Sequence, residues 1–262
     1  MAFFQIEFFS EILGMHIPMN VIIPQRARGG IGVDTAEVTG TYPTLYLLHG
    51  LSDDQSVWCR RSEIELIAEQ RGIAVVMPTT HRGWYANEKC GYEYRKFVGE
   101  EVPKVCRSFF KGMSDKREDN YIGGVSMGGY GALALSLTYP ERYSLCIPFS
   151  GSYDTKWLAG DANGKKYFEE VFGPMNEYDG SENDVFALAE KTMKENKPTP
   201  KIWMWCGHDD FLIDCNRKMA AHLESLKYDV KYTETDGAHG WIYWNRHLNE
   251  MFDFIDEYRK TL

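Results

Sequence analysis

"NYIGGVSMGGYGALALSLTYP", residues 120–140, reads as a strand that turns abruptly into a helix. The β-prone "NYIGGV" leads to Ser126, and the Ala- and Leu-rich stretch after it runs until Pro140 stops it. Gly124, Ser126 and Gly128 spell G-x-S-x-G, in which the glycines leave room where strand and helix approach one another. A serine at that junction is a candidate nucleophile. The helix start beside it offers backbone NH groups and a partial positive charge, so the NH of Met127 is the first candidate oxyanion donor. Gly129, Gly131 and Ala134 also fit the looser dinucleotide fingerprint G-x-G-x-x-A. That match begins inside the helix rather than at the turn, and a Walker loop is ruled out by the missing Lys-Ser/Thr ending.

Working outward, short apolar runs recur at 19–24, 44–50, 73–78, 121–125, 144–150 and 201–207, each of a length suited to a strand buried on both faces. Helical spacings lie between them. Val98, Val102, Val105 and Phe109 share one face, as do Met219, Leu223 and Leu226, and Leu248 to Tyr258 mark a last amphipathic helix. The alternation predicts an α/β fold: a mainly parallel sheet with helices on both faces. "FFQIEFFS" and "MHIPMNVIIP" stand too close for a helical crossover and predict an antiparallel N-terminal edge. Residues 1–262 read as one domain, with an insertion at about 154–200 over the active-site edge of the sheet.

A serine hydroxyl needs a base, and the base needs an orienting carboxylate. After the strand "KIWMWCG" come Asp209 and Asp210, where a parallel sheet gathers active-site groups. Asp210 is the expected acid, with Asp209 the alternative. His239, in "DGAHGW" between the last strand and the last helix, is the expected base, which gives the chain order Ser, Asp, His. His222 and His247 fall within helical patterns, and His81 precedes the acid. In "LLHGLSDD" a strand ends at His49-Gly50, and the NH of Leu51 is the second candidate oxyanion donor, with His49 buttressing the loop. Trp58, Trp84 and Tyr85 follow on the same rim, either as pocket lining or as packing aromatics.

"LYLLHGLSDDQSVW", "YIGGVSMGGYGALALSLTYPERY" and "WCGHDDFL" together resemble the esterase D family of alpha/beta-hydrolases, and within it the bacterial tributyrin esterases and acetylesterases. The resemblance runs over nearly the whole chain. It implies a serine carboxylesterase that cleaves short-chain acyl esters, with Ser126, Asp210 and His239 in the triad positions and Leu51 and Met127 in the oxyanion positions. S-formylglutathione hydrolases and feruloyl esterases are relatives. S-formylglutathione hydrolases of this family carry a cysteine in the loop after the glycine of the oxyanion strand, where this chain reads "GLSDDQSVW". That departure weighs against a thioester substrate.

Composition narrows the partners. With 29 basic and 38 acidic residues the formal charge is −9, which disfavours nucleic acid and anionic lipid. The start "MAFFQIEFFSEILGM" has no basic n-region, and Glu7 and Glu11 interrupt its apolar residues, so a cytoplasmic protein without a membrane span is expected. Six cysteines lack any C-x-x-C pair and read as free thiols. No metal or organic cofactor is expected, the partner is a small-molecule ester, and a homo-oligomer is compatible with the sequence.

Overall fold

One eight-stranded sheet organises the chain, and the computed structural model describes residues 1–25, 31–32, 35–37, 40–89, 91–160 and 162–262. Its strands are β1 (Ala2–Ser10), β2 (Met15–Ile23), β3 (Thr44–Leu48), β4 (Ala74–Pro78), β5 (Asn120–Val125), β6 (Leu145–Phe149), β7 (Lys201–Gly207) and β8 (Val230–Thr235). They lie in the order β1-β2-β4-β3-β5-β6-β7-β8. β1 pairs antiparallel with β2 and β2 antiparallel with β4, while all pairs from β4 to β8 are parallel. The expected antiparallel edge is therefore this N-terminal pair.

The continuous apolar runs have a plain cause. Every residue of β3, β4, β5 and β6 is buried, because helices cover both sides. Successive side chains serve opposite cores: Tyr46 and Leu48 face one, Leu45 and Leu47 the other. The second core is closed by α1 (Val57–Arg61), α2 (Ile64–Arg71) and the C-terminal α11 (Leu248–Arg259). A short α3 (Tyr94–Lys96) runs through a π-turn at Phe97–Glu101 into α4 (Val102–Phe109). Here the spacing argument misplaces one residue. Val98, Val102 and Cys106 are buried and Phe109 is exposed, because the π-turn rotates the face before it reaches 109.

The chain leaves β3 for β4 on one side and then returns across β3 to β5 on the other, which opens a crevice at the carboxyl ends of β3 and β5. From β5 the chain enters α5 (Met127–Thr138) through Ser126. Gly128 is fixed by contact: a Cβ there would stand 2.5 Å from the Leu48 carbonyl oxygen and 2.7 Å from that of His49. At Gly124 it would stand 2.5 Å from the Gly128 carbonyl oxygen. The obstacles are backbone and cannot rotate away, so Gly128→Ala is expected to cost about 3 kcal/mol. Thermal unfolding should show a drop of about 6–12 °C, and an unchanged midpoint would contradict the packing described.

The segment after β6 divides in two. Val185–Lys194 forms a regular helix, capped by Asp184, whose carboxylate accepts from the NH groups of Phe186 and Ala187. With α6 (Thr155–Leu158) and α7 (Ala162–Phe172) before it, this is α8, and it packs on α5 and on α9 (Ile213–Ser225) as the ordinary crossover from β6 to β7. The stretch before α8 carries α6 and α7. It is anchored by Phe168 and Phe172 against Trp84 and by the buried Arg95, which donates to the carbonyl of Tyr85 and the amide oxygen of Asn183. Cys59, Cys106, Cys146, Cys206 and Cys215 are unpaired thiols, and Cys90 lies outside the described residues. Among the described residues no helix is long and apolar enough to cross a membrane.

Candidate active site

Ser126 sits at φ 58°, ψ −118°, a backbone region that a side chain enters only at a cost of roughly 1–3 kcal/mol. Neighbours hold it there. Its NH donates to the Phe149 carbonyl at 3.0 Å, and its own carbonyl accepts from the NH groups of Tyr130 at 3.0 Å and Ser152 at 3.3 Å. The strained turn lifts Oγ out of the sheet edge. The NH of Met127, first in α5, has no intrahelical acceptor and stands beside that oxygen in sequence.

Two loops bring the other members. Gly207 ends β7 so close to the chain after β8 that a Cβ there would lie 2.3 Å from the Gly237 carbonyl oxygen. The NH of Asp209 donates to that same carbonyl at 2.8 Å, and the NH of His208 donates to the Thr235 carbonyl at 2.9 Å. These bonds lock the acid loop to the histidine loop. Asp210 is buried beneath them, where Oδ1 accepts from the NH of Leu212 at 2.8 Å. His239 Nδ1 lies 3.0 Å from Asp210 Oδ1 and 2.9 Å from Oδ2, and its Nε2 lies 3.0 Å from Ser126 Oγ. The alternative acid, Asp209, is exposed. His222 and His247 bond to the Phe186 carbonyl and the Thr235 hydroxyl, away from the serine.

A nucleophile, base and carboxylate connected in this order can move a proton off the hydroxyl as it attacks a carbonyl. The developing oxyanion needs donors on the other side. A Cβ at Gly50 would stand 3.6 Å from the Ser126 Cβ, so the loop after β3 runs alongside Ser126. The NH of Leu51 on this loop makes no hydrogen bond among the described residues. His49 holds the loop in shape: its Nδ1 donates to the Gly50 carbonyl at 2.8 Å, and its Nε2 accepts from the NH of Thr80 at 3.1 Å. Burial lowers the His49 pKa to about 4, which keeps the ring neutral and able to make both bonds.

The rim aromatics resolve as packing. Trp58, Trp84 and Tyr85 are all buried, with their polar atoms turned inward: Trp58 Nε1 to the Leu48 carbonyl, Trp84 Nε1 to the Tyr167 hydroxyl and Tyr85 Oη to the His49 carbonyl. They support the end of β3 and α7 from beneath and do not line an open pocket. The residues at the surface of the site are others. Phe211 lies against His239 with ring centroids 4.5 Å apart. Trp241, on α10 (Trp241–Arg246), packs edge-on against Trp58 with ring centroids 4.9 Å apart and lies near the Asp53 carboxyl, whose pKa burial raises, so α10 closes on the loop after β3. The local sequence gives no periodic signal for this approach, because 188 positions separate Asp53 from Trp241. Among the described residues no cluster of three or more His, Cys, Asp or Glu could hold a metal ion.

Comparison with known proteins follows the same lines. The Esterase family model, described as "Putative esterase", matches residues 10–255. The chain belongs to the esterase family. It is 33% identical to an acetyl esterase of Caldicellulosiruptor saccharolyticus over 268 residues, which covers 98% of this chain and 99% of that one. Among solved structures it is similar to the fluorophosphonate-binding serine hydrolase FphF of Staphylococcus aureus, solved with substrate bound, with a TM-score of 0.87 and 30% identity over 97% of this chain and 98% of that one. An S-formylglutathione hydrolase (FrmB) from Staphylococcus aureus superposes with a TM-score of 0.84 and 29% identity over the same shares. This esterase is therefore a serine hydrolase of the carboxylic ester class, with the alpha/beta-hydrolase fold.

Proposed function

We propose that this esterase hydrolyses short-chain acyl esters, acetyl and butyryl above all, through a covalent acyl-enzyme on Ser126. The observation that carries the proposal is the unbroken chain Ser126 Oγ, His239 Nε2, His239 Nδ1, Asp210. His239 takes the hydroxyl proton as Ser126 Oγ bonds to the ester carbonyl carbon, and the carbonyl oxygen becomes an oxyanion held by the NH groups of Leu51 and Met127. As the intermediate collapses, the bond to the alcohol oxygen breaks and His239 Nε2 gives that oxygen the proton. Water then repeats the cycle on the acyl-enzyme and releases the acid. Asp210 keeps Nδ1 protonated, so that Nε2 is free to accept, and offsets the positive charge of the imidazolium. The acetyl esterase relative supports acetyl as the acyl group, and the five unpaired thiols support a reducing, cytoplasmic setting.

The likeness to an S-formylglutathione hydrolase supports a second reading, a glutathione thioesterase. The loop after β3 reads "GLSDDQSVW" and lacks the cysteine that S-formylglutathione hydrolases of this family carry there, which favours the ester reading. The deciding experiment compares kcat/KM for S-formylglutathione with ethyl acetate, butyrate and octanoate, alongside stoichiometric fluorophosphonate labelling. The expected result is one label per chain, on Ser126, with short esters preferred to the thioester and to octanoate. Preference for the thioester by orders of magnitude would overturn the ester reading, and a label elsewhere would overturn the nucleophile.

A further inference from the structure

An exposed aromatic side chain, Phe211, stands beside His239, and a second, Trp157, stands next to Phe211. Phe211, 58% exposed, follows the buried Asp210 and lies with its ring centroid 4.5 Å from that of His239, tilted by 50°. Trp157, also 58% exposed, lies 6.4 Å from Phe211 with only 32° between the ring planes. They are 54 positions apart in sequence and come from different elements, the β7 exit loop and α6. The Trp157 backbone is held by the α6 cap, where the Asp154 carboxylate accepts its NH at 3.0 Å. By contrast, the other ring on His239, the indole of Trp244, is buried with its Nε1 donating to the Ser150 hydroxyl at 3.0 Å. Of these two ring neighbours of the base, one is committed to the core and the other opens to solvent with a second aromatic beside it.

We infer that Trp157 and Phe211 form the alcohol subsite of this esterase, a two-ring platform that receives the flat apolar face of a ring-bearing alcohol, aryl or pyranoside. The inference rests on the reading of His239 as the acid that protonates the leaving group. That role requires the alcohol oxygen to come within hydrogen-bond reach of Nε2 during acylation, so the alcohol's first atoms must pass next to the imidazole. The oxyanion is held on the opposite side by the Leu51 loop. A substituent on the alcohol therefore meets Phe211 first and Trp157 next. Two slightly tilted rings offer a broad face to another ring, by offset stacking with an aryl group or by contact with the axial C–H groups of a pyranose, and a flexible alkyl chain covers that face less well.

The test uses three acetate esters, which all form the same acetyl-enzyme, so that kcat/KM reports the acylation step in which the alcohol is present, and one ester of an aryl-substituted acid as the control. Benzyl acetate and methyl 6-O-acetylglucopyranoside carry a ring on the alcohol, butyl acetate carries none, and methyl phenylacetate carries the ring on the acyl side. Trp157→Leu and Phe211→Leu keep apolar bulk and remove the flat face. In each variant the kcat/KM ratio of ring-alcohol acetate to butyl acetate is expected to fall by roughly 3- to 10-fold, and in the double variant by more. Loss with benzyl acetate alone identifies an aryl occupant, loss with the glucopyranoside alone a sugar. A constant ratio overturns the inference, and so does a loss confined to methyl phenylacetate, which would make the platform an acyl subsite. Fluorophosphonate labelling of the same proteins separates the two readings. A labelled Ser126 with a constant ratio faults the subsite and keeps the mechanism, whereas an unlabelled Ser126 with an altered ratio faults the mechanism and keeps the subsite.

Discussion

Ser126→Ala is expected to lower kcat for ethyl acetate by roughly 10⁴- to 10⁶-fold, the range seen when an active-site serine of this type is removed. The fold should survive the change. Oγ contributes a bond to His239 Nε2, while the turn itself is held by the main-chain bonds of Ser126 to Phe149, Tyr130 and Ser152, which alanine retains. The strained φ of 58° is the same for either residue. Thermal unfolding should therefore stay within about 3 °C of the parent, and circular dichroism should be unchanged. Two results would contradict the assignment. Residual turnover above about one per cent would mean that another group attacks the ester, and a collapse in stability would mean that the hydroxyl is structural. The residual activity, once contaminating wild type is excluded, reports what the oxyanion donors and binding supply without the nucleophile.

The parts of this molecule that were legible in the sequence are those fixed by local chemistry. Runs such as "TLYLLHG" and "KIWMWCG" announce strands because both faces of each are buried, and Gly124 and Gly128 announce the elbow because backbone crosses within 3 Å of where their side chains would be. The order Ser126, Asp210, His239 follows from three loops at one edge of a parallel sheet, and those three side chains do meet. What was illegible depends on direction and on distant pairing. Trp58, Trp84 and Tyr85 stand near the site in sequence, yet which way each ring turns is decided by partners such as the Leu48 carbonyl and Tyr167. α8 was hidden because the polar stretch before it carries the same composition as a surface loop, although Asp184 and the Val185, Leu188, Ala189 face mark a capped helix. The contact of Phe211 with Trp157 and the approach of Trp241 to Asp53 join segments far apart in the chain, and periodicity carries no record of them.

Asp210→Asn is expected to cost about 10⁴-fold in kcat, although the new side chain has the same shape. The cause lies in how the two carboxylate oxygens are used. Oδ1 accepts the Leu212 NH at 2.8 Å, and that donor is fixed by the loop. An asparagine must therefore keep its carbonyl oxygen on Leu212 and turn its NH₂ toward the position of Oδ2, which lies 2.9 Å from His239 Nδ1. An NH₂ there is a donor 2.9 Å from Nδ1, slightly closer than the retained oxygen at 3.0 Å, which favours the tautomer in which Nδ1 accepts and the ring proton sits on Nε2. Nε2 then faces the Ser126 hydroxyl as a donor and cannot take its proton. Nitrogen NMR of the imidazole should show the proton on Nδ1 in the parent and on Nε2 in the variant. Asp209→Asn, changed at the exposed neighbour, serves as the control and should alter kcat by less than about twofold. If Asp210→Asn retained more than about a tenth of the activity, or if Asp209→Asn were the damaging change, the carboxylate that orients His239 would have to be sought elsewhere.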